Sequence, residues 1–211
     1  MIAQLFDEIL RADKRVIGWA SITKQIAMAS AVVALRPDIS MEIGVYGGKS
    51  FFPMAFAHRA IGRGRVIGID PWNGPESAKG QIANHAQYWS TLNHGRIYHD
   101  FMRQRKEFGL ESVTEIIRFA SDDYDPSPGI SVLSIDGNHG PQAIKDVERY
   151  APMVKMGGLV FCDDLAWDGS DSDYVAQSLE KLTLLGFVEK YRVQNKAQGG
   201  NDDWGCWQKI H

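Results

Sequence analysis

Hydrophobic positions at the start of the chain recur with a helical period. Ile2, Leu5, Phe6, Ile9 and Leu10 fall on one face at 3.6-residue spacing, and a second pattern runs through Ile22, Ile26, Ala29 and Val33. Arg36-Pro37-Asp38 then breaks it. From residue 39 short apolar runs alternate with helical stretches, the pattern of a parallel sheet covered on both faces. The runs predict strands near 40–45, 65–70, 113–119, 130–136 and 158–163. Helices are expected near 49–61, 85–107, 141–155 and 172–185. Two further strands, near 187–194 and 204–210, are separated only by the polar, glycine-bearing turn Asn195 to Asp203, so they are expected to pair antiparallel. The resulting fold class is α/β: a Rossmann-like, doubly wound, seven-stranded, mostly parallel sheet with an antiparallel last strand. It is read as one domain over 1–211, with 1–36 a helical cover and 39–211 the core. The segment Trp72 to His85 holds Asn73-Gly74-Pro75 and Gly80 and reads as a long, mobile loop over the sheet.

Composition narrows the classes. With 44% hydrophobic residues the 211-residue chain can build a full core without disulfides or structural metal. Cys162 and Cys206 lie in apolar segments and read as buried, reduced thiols. The formal net charge of −3 gives no reason to expect nucleic acid. The acidic pair Asp7-Glu8 argues against a signal peptide, and no apolar run reaches the length of a membrane span. The expectation is a soluble, cytoplasmic protein with no membrane partner. Its amphipathic N-terminal helices make a homodimer or higher homo-oligomer plausible.

The first core strand runs into Met41-Glu42-Ile43-Gly44-Val45-Tyr46-Gly47-Gly48-Lys49-Ser50. Glycines at a strand-to-helix turn let a ligand approach the backbone. A phosphate-binding loop ending in Gly48-Lys49-Ser50 needs a glycine at position 43, which is Ile43. A dinucleotide fingerprint from Gly44 needs one at position 46, which is Tyr46. Glu42 would repel a pyrophosphate but favour a cationic ligand, and S-adenosylmethionine carries both an ammonium and a sulfonium. Glu42, Gly44, Tyr46, Gly47 and Ser50 are therefore candidate cofactor contacts. Asp70 ends the second strand, where a carboxylate can accept both ribose hydroxyls. Ser121 and Asp122 follow the third and are candidates to hydrogen-bond the amino edge of an adenine.

Asp136 ends the fourth strand, and Asp163 and Asp164 end the fifth. The carboxyl ends of neighbouring strands converge on the ligand crevice, where three carboxylates repel unless a proton or cation neutralises them. Hard oxygen ligands suit Mg²⁺ or Ca²⁺ better than zinc. His139, three residues beyond Asp136, is a candidate general base. The remaining histidines, His85 among them, have no comparable context and read as surface or helix residues.

Glu42-x-Gly44-x-x-Gly47, Asp70, Asp136-Gly-Asn-His139 and the Gly157-Gly158 strand ending in Asp163-Asp164 resemble class I S-adenosylmethionine-dependent methyltransferases. The order matches across roughly residues 39–210. The similarity is greatest to small bacterial enzymes related to macrolide sugar O-methyltransferases, which share a domain with proteins described as cephalosporin hydroxylases. Met156 stands where that group has proline, and Asp163-Asp164 where it often has Glu-Asp. The resemblance implies Mg²⁺ held by Asp136, Asp163 and Asp164, a base at His139, Asp136 also near the cofactor, and a small-molecule hydroxyl acceptor. Trp72, Tyr88, Trp89, Trp167 and Tyr174 are candidate acceptor walls. Alternatives of different class are an NAD(P)-dependent oxidoreductase on a similar sheet and a non-catalytic S-adenosylmethionine-binding module. A ferrous hydroxylase finds no support, because no two-histidine-one-carboxylate spacing is visible in this chain.

Overall fold

A computed structural model describes residues 2–195 and 202–211. Strands β1 (Ile39–Ile43), β2 (Arg65–Ile69), β3 (Thr114–Ile117), β4 (Ile130–Ile135), β5 (Val154–Asp163), β6 (Phe187–Asn195) and β7 (Asp202–Lys209) form one sheet in the order β3-β2-β1-β4-β5-β7-β6. Pairing is parallel from β3 through β5 and antiparallel at both edges of β7. The Rossmann-like sheet with a reversed last strand is as the alternating pattern predicts. Residues 196–201 of the expected β6–β7 turn lie outside the described residues.

Helices fill both faces because each presents an apolar stripe. On one face lie α1 (Ile2–Asp13), α2 (Ile22–Leu35), α3 (Phe51–Ile61) and α6 (His94–Glu107), whose Leu5, Ile9, Met28, Val32, Phe52 and Phe101 form one buried cluster. Phe52 and Phe101 stack with centroids 5.1 Å apart, and each buried ring contributes about 1.5–3 kcal/mol by leaving water. On the other face α7 (Gln142–Tyr150) and α8 (Tyr174–Leu184) supply Val147, Tyr150 and Leu182 to the second cluster.

Three local expectations change. The helix expected over 85–107 is two, α5 (Ala83–Thr91) and α6, because the Asn93 side chain caps the second by accepting from the Arg96 N–H at 2.9 Å. The expected loop from Trp72 contains a short α4 (Gly74–Ala78), capped in the same way by Asn73. The fifth strand begins at Val154 rather than 158, and α7 ends at Tyr150 before a 3₁₀ turn rather than reaching 155. Helix α5 buries none of its residues and lies over the C-terminal ends of the strands. That end holds the site. Strands β1 and β4 are neighbours there, although β2 and β3 intervene in sequence, and the reversal of winding opens a crevice between them.

Candidate functional site

The turn after β1 is shaped by its neighbours. Gly44 has φ +83°, and a Cβ there would stand 2.0 Å from the Asp136 carbonyl oxygen, so β1 and β4 meet with no room for a side chain. Tyr46 also takes a left-handed conformation, φ 48°, and donates its N–H to Asp70 Oδ2 at 2.8 Å. The Trp72 N–H donates to Asp70 Oδ1 at 2.6 Å, and the Trp72 indole donates to the Tyr46 carbonyl at 2.8 Å. Asp70 thus fastens two turns while its carboxylate still faces a cavity. Burial raises its pKa, and the two amides oppose that rise. Gly47 serves packing: a Cβ there would meet the Ile17 carbonyl at 2.3 Å.

Glu42 lies beneath the turn, fully buried, and lines neither of the two cavities described below. No hydrogen bond of good geometry reaches either of its carboxylate oxygens, although the Ser50 and Ser134 hydroxyls lie close by. Burial lifts its pKa to about 7, against the pull of Ser50, Lys24 and Ser134. Its influence on a ligand would act through space, without contact.

The first cavity, about 200 Å³, opens between β1, β2 and β4 and is lined by Gly44, Tyr46, Asp70, Ser121, Asp122 and Asp136 among others. At its far end Ser121 Oγ donates to Asp146 Oδ1 at 2.6 Å, and Gln142 Nε2 donates to the same oxygen at 3.0 Å. Asp146 is buried, and burial raises its pKa to about 6. The α4 segment covers this cavity and is clasped by Asn138. The Asn138 amide donates to the carbonyls of Glu76, Ser77 and Lys79 at 3.1, 3.2 and 2.8 Å, and its oxygen accepts from Gln81 Nε2 at 3.1 Å and the Gly140 N–H at 2.7 Å.

The second cavity, about 380 Å³, is lined by Trp19, Tyr88, Trp89 and Trp167, with Ser50, Asp163 and Asp164 also at its surface. Trp19 lies 4.9 Å from Tyr46 and 5.8 Å from Trp89 between ring centroids. Opposite, Trp167 packs between His139 and His85, each 4.8 Å away. Of the expected acceptor walls, Trp72 is a buried residue bordering the first cavity, and Tyr174 lines neither. Trp19 and His85 belong to the wall instead. Gly44, Tyr46, Trp89, Asp136, Gly137 and His139 line both cavities and mark where they join.

The predicted acids converge at that junction, and a residue the sequence pattern passed over stands among them. Ser21 caps α2, and Lys24 in its first turn is 1% exposed. Its Nζ lies 2.7 Å from Asp136 Oδ2 and 2.5 Å from Asp163 Oδ2. Burial works against the ammonium, but the two carboxylates outweigh it and its pKa is raised. Burial and the Asp163 charge raise Asp136, whereas Lys24 holds Asp163 low despite burial. Asp164, in a left-handed conformation at φ 50°, turns to His139, with Oδ2 3.4 Å from Nε2. That nitrogen is buried without a hydrogen bond.

Magnesium demands near-octahedral oxygen donors at about 2.0–2.1 Å. The ring Asp136, Asp163 and Asp164 does not fit that ion while a buried ammonium holds oxygens of two of its members. One atom each of Asp136, His139 and Asp164 lie within 4.8 Å of one another. That set replaces a carboxylate with a nitrogen and shares Asp136 with the lysine.

Residues 41–165 match a family model described as a methyltransferase domain. No curated protein sequence matches. Among solved structures the chain is similar to an O-methyltransferase from Bacillus cereus in complex with S-adenosylhomocysteine, at 16% identity and TM-score 0.62, covering 98% of this chain and 91% of that one. It is similar to TomG of Streptomyces achromogenes, an O-methyltransferase of tomaymycin synthesis in complex with S-adenosylmethionine, at 13% identity and TM-score 0.64, covering 98% and 90%. The O-methyltransferase NovP is 19% identical with TM-score 0.64 over 89% of this chain and 78% of that one.

Proposed function

Since the chain belongs to the methyltransferase-domain family, we propose that it transfers the methyl group of S-adenosylmethionine to a hydroxyl oxygen of a small molecule. The observation that carries this reading is the junction of the two cavities at Asp136, Gly137 and His139. A cofactor in the first cavity would present its sulfonium methyl there to an acceptor in the second. The structural likeness to O-methyltransferases solved with S-adenosylmethionine and S-adenosylhomocysteine supports the cofactor.

Asp70 would accept the ribose hydroxyls, Ser121 and Asp122 would meet the adenine edge, Gly44 and Tyr46 would border the methionine end, and Ser50 would approach that end from the second cavity. Glu42 and Gly47 would support them from below. In the transfer an acceptor oxygen would attack the methyl carbon, the carbon–sulfur bond would break with its electron pair going to sulfur, and the hydroxyl proton would pass to the His139 imidazole. The protein's main task is alignment in a near-attack pose. Trp19, Tyr46 and Trp89 facing Trp167 suit a flat, uncharged ring. Lys49, the cation at this cavity, is already 3.2 Å from Asp13. Mg²⁺ on Asp136, Asp163 and Asp164 would neutralise the acids only by displacing the Lys24 ammonium, which already pairs with two of them.

Two measurements test the reading. S-Adenosylmethionine and S-adenosylhomocysteine should raise the melting temperature where NAD and NADP do not; stabilisation by NAD alone would mark an oxidoreductase. His139→Ala should lower turnover roughly 10²–10⁴-fold with S-adenosylmethionine affinity nearly intact. An equal loss of cofactor affinity would make His139 structural.

A further inference from the structure

The acids at the cavity junction come with a built-in cation. Lys24 is buried, sits in the first turn of α2 and meets Asp136 and Asp163 at 2.7 and 2.5 Å. The positive end of a helix dipole is an unfavourable place for an ammonium. A buried charge is tolerated when paired and hydrogen-bonded, and here two carboxylates from the ends of different strands supply the pairing. Asp164, the third acid, faces His139.

We propose that Lys24 takes the place of a divalent ion: it is a positioning residue that fixes Asp136 and Asp163 at the junction, and transfer proceeds without metal. The inference rests on the methyl-transfer reading for what the junction does, but its central test does not. The chemistry is consistent with a fixed monovalent cation. As the sulfonium gives up its methyl and its charge, the acceptor proton brings a positive charge to His139. The charge of the crevice is unchanged by the step, and no ion must enter or leave. Three carboxylates without Lys24 would instead form an oxygen-donor set suited to a hard divalent ion.

The test uses full-length protein freed of metal by chelator dialysis, with Mn²⁺ as probe. Electron paramagnetic resonance titration should find no stoichiometric Mn²⁺ site in the wild type, and turnover should be unchanged by EDTA. Lys24→Ala should gain a Mn²⁺ site, lose turnover roughly a hundredfold through misplaced acids, and recover part of it when Mn²⁺ is added. Lys24→Arg, which keeps the charge, should retain more activity than Lys24→Ala and bind no Mn²⁺. If Lys24→Ala fails to fold by circular dichroism, the wild-type titration and Lys24→Arg decide alone. A stoichiometric wild-type Mn²⁺ site, or loss of wild-type turnover in EDTA, overturns the proposal. Failure to bind S-adenosylmethionine in calorimetry would instead sink the methyl-transfer reading, while the Mn²⁺ titration still decides the place of Lys24.

Discussion

Glu42 offers a quantitative test of how the ground beneath the cofactor turn is built. It is fully buried, no hydrogen bond of good geometry reaches its carboxylate, and burial raises its pKa from 4.5 to about 7 against the pull of Ser50, Lys24 and Ser134. Between those two values the folded protein holds a proton that the unfolded chain has released. Stability must therefore fall as pH rises through this window, by about 1.4 kcal/mol per unit where the proton difference is complete. The whole window amounts to about 3 kcal/mol, of which about 1 kcal/mol is already lost at pH 5, leaving about 2 kcal/mol to disappear by pH 8. Glu42→Gln keeps the shape and cannot ionise. Its melting temperature relative to wild type should climb by about 4–8 °C between pH 5 and pH 8, at about 2–4 °C per kcal/mol for a chain of this size. Differential scanning fluorimetry of the cofactor-free proteins at constant ionic strength measures it. Asp146, whose pKa is raised to about 6, shifts both curves alike and cancels in the difference. A difference that stays flat with pH would show that Glu42 is not held protonated by its burial, and would refute the reasoning.

Two other outcomes follow from the same turn and its cover. Gly44→Ala places a Cβ 2.0 Å from the Asp136 carbonyl at φ +83°; about 1–2 kcal/mol of left-handed strain and about 1–3 kcal/mol of overpacking should lower the urea midpoint, and an unchanged midpoint would mean the strands separate easily there. Asn138→Ala removes the clasp on α4, so amide exchange over residues 74–82 should accelerate roughly tenfold or more for a loss of about 1.4 kcal/mol, while protection of β4 holds; equal acceleration in β4 would indicate general unfolding instead.

The sheet was legible because buried parallel strands write short runs dominated by apolar residues, as in Ile130–Ile135, where only Ser131 and Ser134 interrupt Ile, Val and Leu. The reversed last strand was legible because the sequence between the two strand patterns is polar and glycine-bearing and carries no helical apolar period. The convergence of Asp136, Asp163 and Asp164 followed from strand ends alone. Lys24 was not legible: Ile22, Ile26 and Ala29 define the apolar stripe of its helix, and a lysine in such a pattern reads as solvated. Its partners lie 112 and 139 residues away, a pairing visible only after folding. Trp19 and His85 were missed for the same reason, since their places in the cavity wall come from packing between distant segments. The break at Leu92-Asn93 had a local signal, because Asn93 has the chemistry of a helix cap, but the apolar pattern continues across it.

The Asn138 clasp has a kinetic consequence. Asn138 is the residue immediately before His139, and Ser170 Oγ, which donates to the His139 carbonyl at 2.9 Å, lies in the segment bridged to Gln81 of the cover. If the first cavity holds the cofactor as proposed, swinging the cover open would loosen the peptide that carries His139. Loading and transfer would then exclude one another in time. Under this arrangement the cover, more than the chemistry, would set the tempo of turnover, and a pre-steady-state burst of methylated product is the trace it would leave.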